Sequence, residues 1–288
     1  MVYLTRIVCI IGLVMVTFAS SVSAQEDEEC FICHGEPDLI KELPDGRVQH
    51  LYVDDELYAL SIHAPNGCIS CHYDIDELPH AEKLEPVYCG GCHDVAEEYE
   101  QSLHGLALAK GNGDAAGCND CHGLHDIRKT SDPLSRVHPT RLPATCGKCH
   151  SDPGIVKAHL ISMCCPEESY ANSTHAQVIR DGERIDAATC NDCHGTHDLQ
   201  PSHLQSSKVN RYNVPDTCGA CHEEELAAFE KSIHGKALRA GIKDAPSCVD
   251  CHNEHDIKKS SLETSTVSLA AVSRETCPRC HNDERKME

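Results

Sequence analysis

Nine times in this 288-residue chain, two cysteines stand three positions apart with a histidine immediately after the second. The pairs are Cys30/Cys33, Cys68/Cys71, Cys89/Cys92, Cys118/Cys121, Cys146/Cys149, Cys190/Cys193, Cys218/Cys221, Cys248/Cys251 and Cys277/Cys280. The histidines that follow them are His34, His72, His93, His122, His150, His194, His222, His252 and His281. Two thiols on one helical turn can form thioethers to the two vinyl groups of a haem, and the adjacent imidazole then swings beneath the macrocycle to ligate its iron. Paired cysteines also build disulfide scaffolds and zinc sites. Neither of those requires a histidine after every second cysteine. With 21 His in 288 residues, any one site would carry it by chance about one time in fourteen. Nine in nine predicts nine covalently bound haem c groups.

An iron held by one attachment histidine needs a second axial ligand. Outside the N-terminal leader described below, methionine occurs only as Met163 and Met287, so it can serve two irons at most. Twelve further histidines remain, enough for bis-histidine coordination throughout. Such a haem is six-coordinate, low-spin and of low potential relative to a His/Met haem.

Internal repeats rank those twelve. Ser102-Leu-His104-Gly runs on to Cys118-Asn-Asp-Cys-His-Gly-Leu-His125-Asp-Ile127, and Ser232-Ile-His234-Gly runs on to Cys248-Val-Asp-Cys-His-Asn-Glu-His255-Asp-Ile257. A looser copy joins Ser173-Thr-His175 to His197-Asp-Leu199, and Ser61-Ile-His63 before Cys68 is a contracted one. Each full copy is followed, about 28 residues after its first cysteine, by another attachment site. The repeating unit is a two-haem module with one histidine in a Ser-x-His element and one in a His-Asp-Ile/Leu element. The first-rank distal candidates are therefore His63, His104, His125, His175, His197, His234 and His255, with His80 after Glu77-Leu-Pro next. His50, His138, His159 and His203 form a second rank, some of them plain surface residues.

The elements that carry these residues follow from local pattern. Residues 25–93 hold the first three sites, 94–172 two with an insertion, 173–231 two, and 232–288 the last two. Arg47 to Val53 favours a short strand, and Asp54 can cap a helix running towards His63. Asp94 to Lys110 and Glu223 to Ala240 read as helices, with acidic first turns, apolar residues at helical spacing and Gly111 and Gly241 at the stops. Asp132 to Pro143 reads as irregular loop. The fold class expected is mainly α with much irregular loop and little β, the haems forming the core. Aromatics are 4%, Trp is absent and mean hydropathy is −0.39, too little for an ordinary apolar interior. After removal of a leader about 29 residues remain per haem, so the groups must pack against one another.

Residues 1–24 read as a signal peptide, with Arg6, the apolar run Ile7 to Phe18 and Val22-Ser23-Ala24 at the cleavage point. Export to the periplasm or beyond follows, with no retained membrane span. The net charge of −21 argues against nucleic acid and suits docking to basic patches on redox proteins. Cys164 and Cys165, in the insertion, can form a disulfide, ligate a haem or stay free.

Cys-x-Asp-Cys-His-Gly-x-His-Asp-Ile followed by Thr-Cys-Gly-x-Cys-His resembles the doubled-motif multihaem c-type cytochromes, similar in turn to the tetrahaem quinol dehydrogenases and pentahaem nitrite reductases. The match covers almost all of 61–281. The resemblance implies a multihaem cytochrome c fold and electron exchange in anaerobic respiration between a membrane quinol-oxidising complex and a terminal reductase or further cytochrome. No Cys-x-x-Cys-Lys site is present, which sets this chain apart from the nitrite reductases. The leading expectation is a non-enzymatic electron carrier. Two alternatives stay open. One is a reductase of a nitrogen or sulfur oxyanion at a five-coordinate haem, for which the Cys277 site is the candidate because its module lacks a counterpart of His138 or His203. The other is a subunit that self-assembles into an extracellular conducting filament.

Overall fold

A computed structural model describes residues 22–43, 46–161 and 165–282. The leader expected over 1–24 lies, but for its last three positions, outside the described residues, as does Cys164. The architecture is mainly helical, with long irregular stretches and one two-stranded sheet, as expected. Among the described residues no helix is long and apolar enough to cross a membrane.

Two compact units are distinguished, one of Met1–Asp55 with His63–Leu84 and one of Glu56–Ile62 with Glu85–Glu288. In the first, helix Val22–His34 ends on the first attachment histidine. Strands β1 (Ile40–Glu42) and β2 (Val48–His50) pair antiparallel, with Lys41 opposite Gln49. The strand expected over 47–53 is thus cut to three residues by the length of its partner. The backbone N–H of Cys68 donates to Asp27 at 2.8 Å and ties the second attachment site back to the first helix.

The helix expected to run from Asp54 towards His63 stops at Ala59. Leu60 and Ser61 donate to the carbonyls three residues back, tightening the last turn.

The second unit repeats one plan three times. Each Cys-x-Asp-Cys-His is a single five-residue helical turn: Cys118–His122, Cys190–His194 and Cys248–His252. Its aspartate is the reason so short a helix holds. Asp120, Asp192 and Asp250 each accept the backbone N–H of the residue before the first cysteine at 2.7 Å. Thr189 and Ser247 add their hydroxyls to the same carboxylates. Gly123, Gly195 and Asn253 follow in the left-handed region, φ 98°, 97° and 66°, and turn the chain towards the His-Asp element.

The helices expected over 94–110 and 223–240 are each two helices. Val95–Glu100 is followed by Leu103–Ala109, and Glu223–Lys231 by Ile233–Arg239. The break falls on Ser102 and Ser232, whose extended backbones and side-chain oxygens cap the second helix. A serine that accepts the third helical N–H competes with continuing the preceding helix. Ser173 does the same for Thr174–Arg180. The loop expected over 132–143 is irregular to Arg141, and helix Leu142–His150 begins with Pro143 in its first turn.

The buried hydrophobic residues among those described are only Ala96, Ala176, Ile179, Val214, Leu238 and Ala245. Polar residues hold the interior turns instead, with Ser102 and Ser173 fully buried and Ser207 and Ser247 nearly so.

Candidate haem-binding array

The Ser-x-His element fixes its histidine as the second residue of a capped helix. Ser102 Oγ accepts from Gly105 N at 3.1 Å, Ser173 Oγ from Ala176 N at 3.0 Å and Ser232 Oγ from Gly235 N at 3.0 Å. Each histidine then faces the second attachment histidine of its own module. Ring centres are 6.2 Å apart for His104 and His150, 6.1 Å for His175 and His222, and 6.0 Å for His234 and His281. These three pairs are tilted, with interplanar angles of 59°, 52° and 36°.

The His-Asp-Ile/Leu element works across the module boundary. His197 faces His122 of the preceding module at 6.1 Å, and His255 faces His194 at 6.0 Å. Here the rings are nearly parallel, at 14° and 8°. The same element carries a backbone bond. The first helical N–H after each capping serine has no acceptor within its own helix. Leu103 N donates to Leu199 O and Thr174 N to Ile257 O, both at 2.8 Å, and Ile62 N donates to Ile127 O at 2.9 Å. In the first unit His34 and His80 face each other at 5.9 Å and 8°. His34 Nδ1 lies 2.8 Å from the Leu51 carbonyl, which suits an imidazole whose other nitrogen points to a metal.

Two imidazoles sharing one metal at about 2 Å per nitrogen put their ring centres roughly 6 Å apart. All six observed separations meet that span, so the residues fit an iron between each pair. Burial pushes His104, His150, His175 and His194 below the ordinary imidazole value, and it outweighs every other influence on His122. The neutral form so favoured is the one that ligates metal. Large apolar side chains left exposed beside the sites, among them Leu103, Leu106, Leu124 and Ile69, offer the surface that a macrocycle needs. The eighteen attachment cysteines form no disulfide among themselves, and no cluster of three or more His, Cys, Asp or Glu that could hold a bare metal ion occurs among the described residues.

Within each unit, successive sites adjoin. Cys30 and Cys68 share a hydrogen bond, as do Cys146 and Cys190, and Cys218 and Cys248. His122 is within charge–charge reach of His93, Cys121 of Cys146, Cys193 of Cys221 and Cys251 of Cys277. From the third site to the ninth, every site thus lies beside the next in sequence order.

The expected attachment cysteines are not equally sheltered, a difference the motif itself does not carry. Cys33, Cys71, Cys92 and Cys280 are exposed, as are Cys89, Cys118, Cys221 and Cys277, while the rest are half-buried. At the first two sites the cause is the contact between them. Cys30 and Cys68 turn towards each other, and the second thiol of each pair, one turn further on, faces outward. Cys71 Sγ there meets Ser70 Oγ at 3.9 Å. In Cys89/Cys92 and Cys277/Cys280 both thiols are exposed. These pairs open and close the run of adjoining sites in the second unit, so each has a neighbour in the run on one side only.

The remaining histidines fall as follows. His63, His72, His93 and His125 all have interaction partners. His138 is buried, its Nδ1 2.8 Å from Thr140 Oγ1, in a turn where the other modules place Asn210 and Ser268. His159 sits 2.8 Å from Asp114, while His50 and His203 are exposed. None of these four faces an attachment histidine among the described residues. The alternative of an open position at the Cys277 site meets His234, which faces His281. His138, on which it leaned, is the turn position that Ser268 fills in the last module. Among the described residues no second imidazole faces the attachment histidine His252, whose neighbour His222 faces His175 instead.

Cys165 is disulfide-bonded and stands at φ 67° before helix Pro166–Ala171. Sequence reasoning missed the threonine before each second-site pair. Thr145, Thr217 and Thr276 donate to the carbonyls of Arg136, Lys208 and Thr266 and anchor those attachment helices. Their recurrence in Thr-Cys-x-x-Cys-His was the available signal.

No family model matches the chain, and no solved structure does. The high-molecular-weight cytochrome c of Nitratidesulfovibrio vulgaris (strain Hildenborough) is a distant relative, 24% identical over 222 residues. The aligned region covers 74% of this chain and spans 37% of the relative's length.

Proposed function

We propose that this chain is an exported nonahaem c-type cytochrome that passes electrons between membrane or periplasmic redox partners in anaerobic respiration. The observation that carries the reading is the succession of adjoining attachment sites, most with a histidine pair at iron-spanning distance. The relationship to a cytochrome c supports covalent haem and electron transfer in general.

The cysteines of each pair would hold the porphyrin edge, and the histidine after them would ligate iron on one face. On the other face, His80 would serve the site at His34, and His104, His175 and His234 those at His150, His222 and His281. His197 and His255 would serve the sites at His122 and His194. His63 and His125 are left for the sites at His72 and His93. A bis-histidine haem supplies one-electron chemistry without a free coordination position. The protein's own part is to hold imidazoles neutral on capped helices and, from the third site to the ninth, to keep neighbouring sites beside one another, so an electron in that run crosses no thick protein layer. The charge of −21 suits transient docking to basic faces of donor and acceptor.

The test is haem content by pyridine haemochrome and intact mass on the exported protein, followed by reductive titration. Nine haems that all reduce and reoxidise, predominantly low-spin, are expected. A chain that matures with zinc or with disulfides in the Cys-x-x-Cys pairs would sink the reading.

A further inference from the structure

Two groups in the module of residues 232–288 are left over, and both belong to one missing contact. In the modules before it, the incoming His-Asp-Ile/Leu element does two things at once. It sets a histidine opposite the first attachment histidine, and it accepts the first helical N–H after the capping serine. His197 with Leu199, and His255 with Ile257, each do both.

In the last module neither is done. No second imidazole faces His252, although all 21 histidines lie within the described residues; His222, within charge–charge reach of it, is the ring that faces His175. The N–H of Ile233, counterpart of Leu103 and Thr174, has no acceptor among the described residues, and the residue is 79% exposed. The capping serines tell the same story, since Ser102 and Ser173 are fully buried whereas Ser232 is only partly so. The spare histidines are engaged elsewhere or stand in other turns, His138 on Thr140 and His159 on Asp114.

We infer that the haem held by Cys248, Cys251 and His252 keeps an open sixth position and binds a small diatomic π-acceptor such as carbon monoxide or nitric oxide. This rests on the nine-haem reading. A ferrous haem with one imidazole ligand takes such a molecule directly, whereas a bis-histidine haem must first lose a ligand. The step is ligand addition alone, with no electron or proton transferred. It also moves the open position one site back along the chain from the Cys277 module end.

The experiment uses the full-length holoprotein, with haem counted first. Dithionite-reduced protein is titrated with carbon monoxide and followed in the Soret band, and high-spin ferric haem is counted by electron paramagnetic resonance in the oxidised form. About one carbon monoxide and one high-spin centre per nine haems are expected. Three variants place the site without removing haem: His197→Ala, His255→Ala and His234→Ala. Each opens one further position, so each raises the count from one to two. A variant whose count stays at one would show that the original site was its own, which overturns the assignment to His252. Nine haems with no carbon monoxide uptake, whether Met287 or a partner chain supplies the ligand, overturn the inference and leave the carrier reading standing. Fewer than nine, with the Cys248 peptide free of haem by mass, overturn both.

Discussion

Removing the hydroxyl of Ser173 should loosen one haem site without touching a ligand. Ser173 is fully buried, and its oxygen is the acceptor for the Ala176 N–H at 3.0 Å, at the start of the helix that carries His175. Loss of an N-cap of this kind costs about 1 kcal/mol. Ala176 is itself buried, so its N–H would be left without water as well, which raises the cost to roughly 1–3 kcal/mol. Ser102 is placed the same way in the preceding module. The two sites share no partner, so Ser102→Ala and Ser173→Ala should add, giving roughly 2–6 kcal/mol in the double variant. The assay is guanidinium unfolding of the haem-loaded protein, read at the Soret band and by far-ultraviolet circular dichroism. Ser173→Thr keeps an acceptor and should recover most of the loss. A Ser173→Ala cost below about 0.5 kcal/mol would refute the capping argument, because an exposed surface change costs no more than that.

Further expectations concern spectra, charge and attachment. The near-parallel pairs at 8°, 14° and 8° and the tilted pairs at 59°, 52° and 36° should give two families of low-spin ferric signals. His197→Ala should thin the first family and His175→Ala the second, as read by electron paramagnetic resonance. Arg239 joins Asp216 to Glu230, and its guanidinium holds the Asp216 carboxyl below its ordinary value. The Arg239 and Asp216 side chains are both substantially exposed, so Arg239→Gln should cost no more than about 1 kcal/mol. A lowered aspartate stabilises above its unfolded value of 3.8 and ceases to as pH falls through the folded one. The gap between wild type and Arg239→Gln in unfolding midpoint should therefore be open at neutral pH and close below that value. Cys146→Ala with Cys149→Ala should lower the pyridine haemochrome count from nine to eight, and disturb the neighbouring Cys190 site first.

Much of this site was legible in the chain. The repeat singled out His63, His104, His125, His175, His197, His234 and His255, and the structure sets His104, His175, His197, His234 and His255 opposite histidines of the Cys-x-x-Cys-His motifs. What the repeat does not carry is direction. A fixed offset from a cysteine pair says that a histidine recurs, not whether it turns to its own module or to the one before. That choice is made by backbone bonds between modules, such as Thr174 N to Ile257 O, which join distant parts of the chain. Nor does the motif say which thiol of a pair meets a neighbour and which, like Cys33 or Cys71, faces outward. For the same reason His138 looked like a ligand in waiting. Its place in the turn, filled by Asn210 and Ser268 in the other copies, became visible only once the chain was folded. Helix length was misjudged because Ser102 and Ser232 read as tolerable helix residues until their oxygens are seen closing the next helix.

The lending of His197 and His255 backwards across module boundaries has a consequence for how such arrays can grow. No module of this kind sets a histidine opposite its own first attachment histidine; it sets one opposite its predecessor's. Duplicating the last module would therefore satisfy His252 and Ile233 and hand the same deficit to the newcomer. The unmatched imidazole and N–H are thus set by which module stands against the first helix of a copy, and not by that copy's own residues.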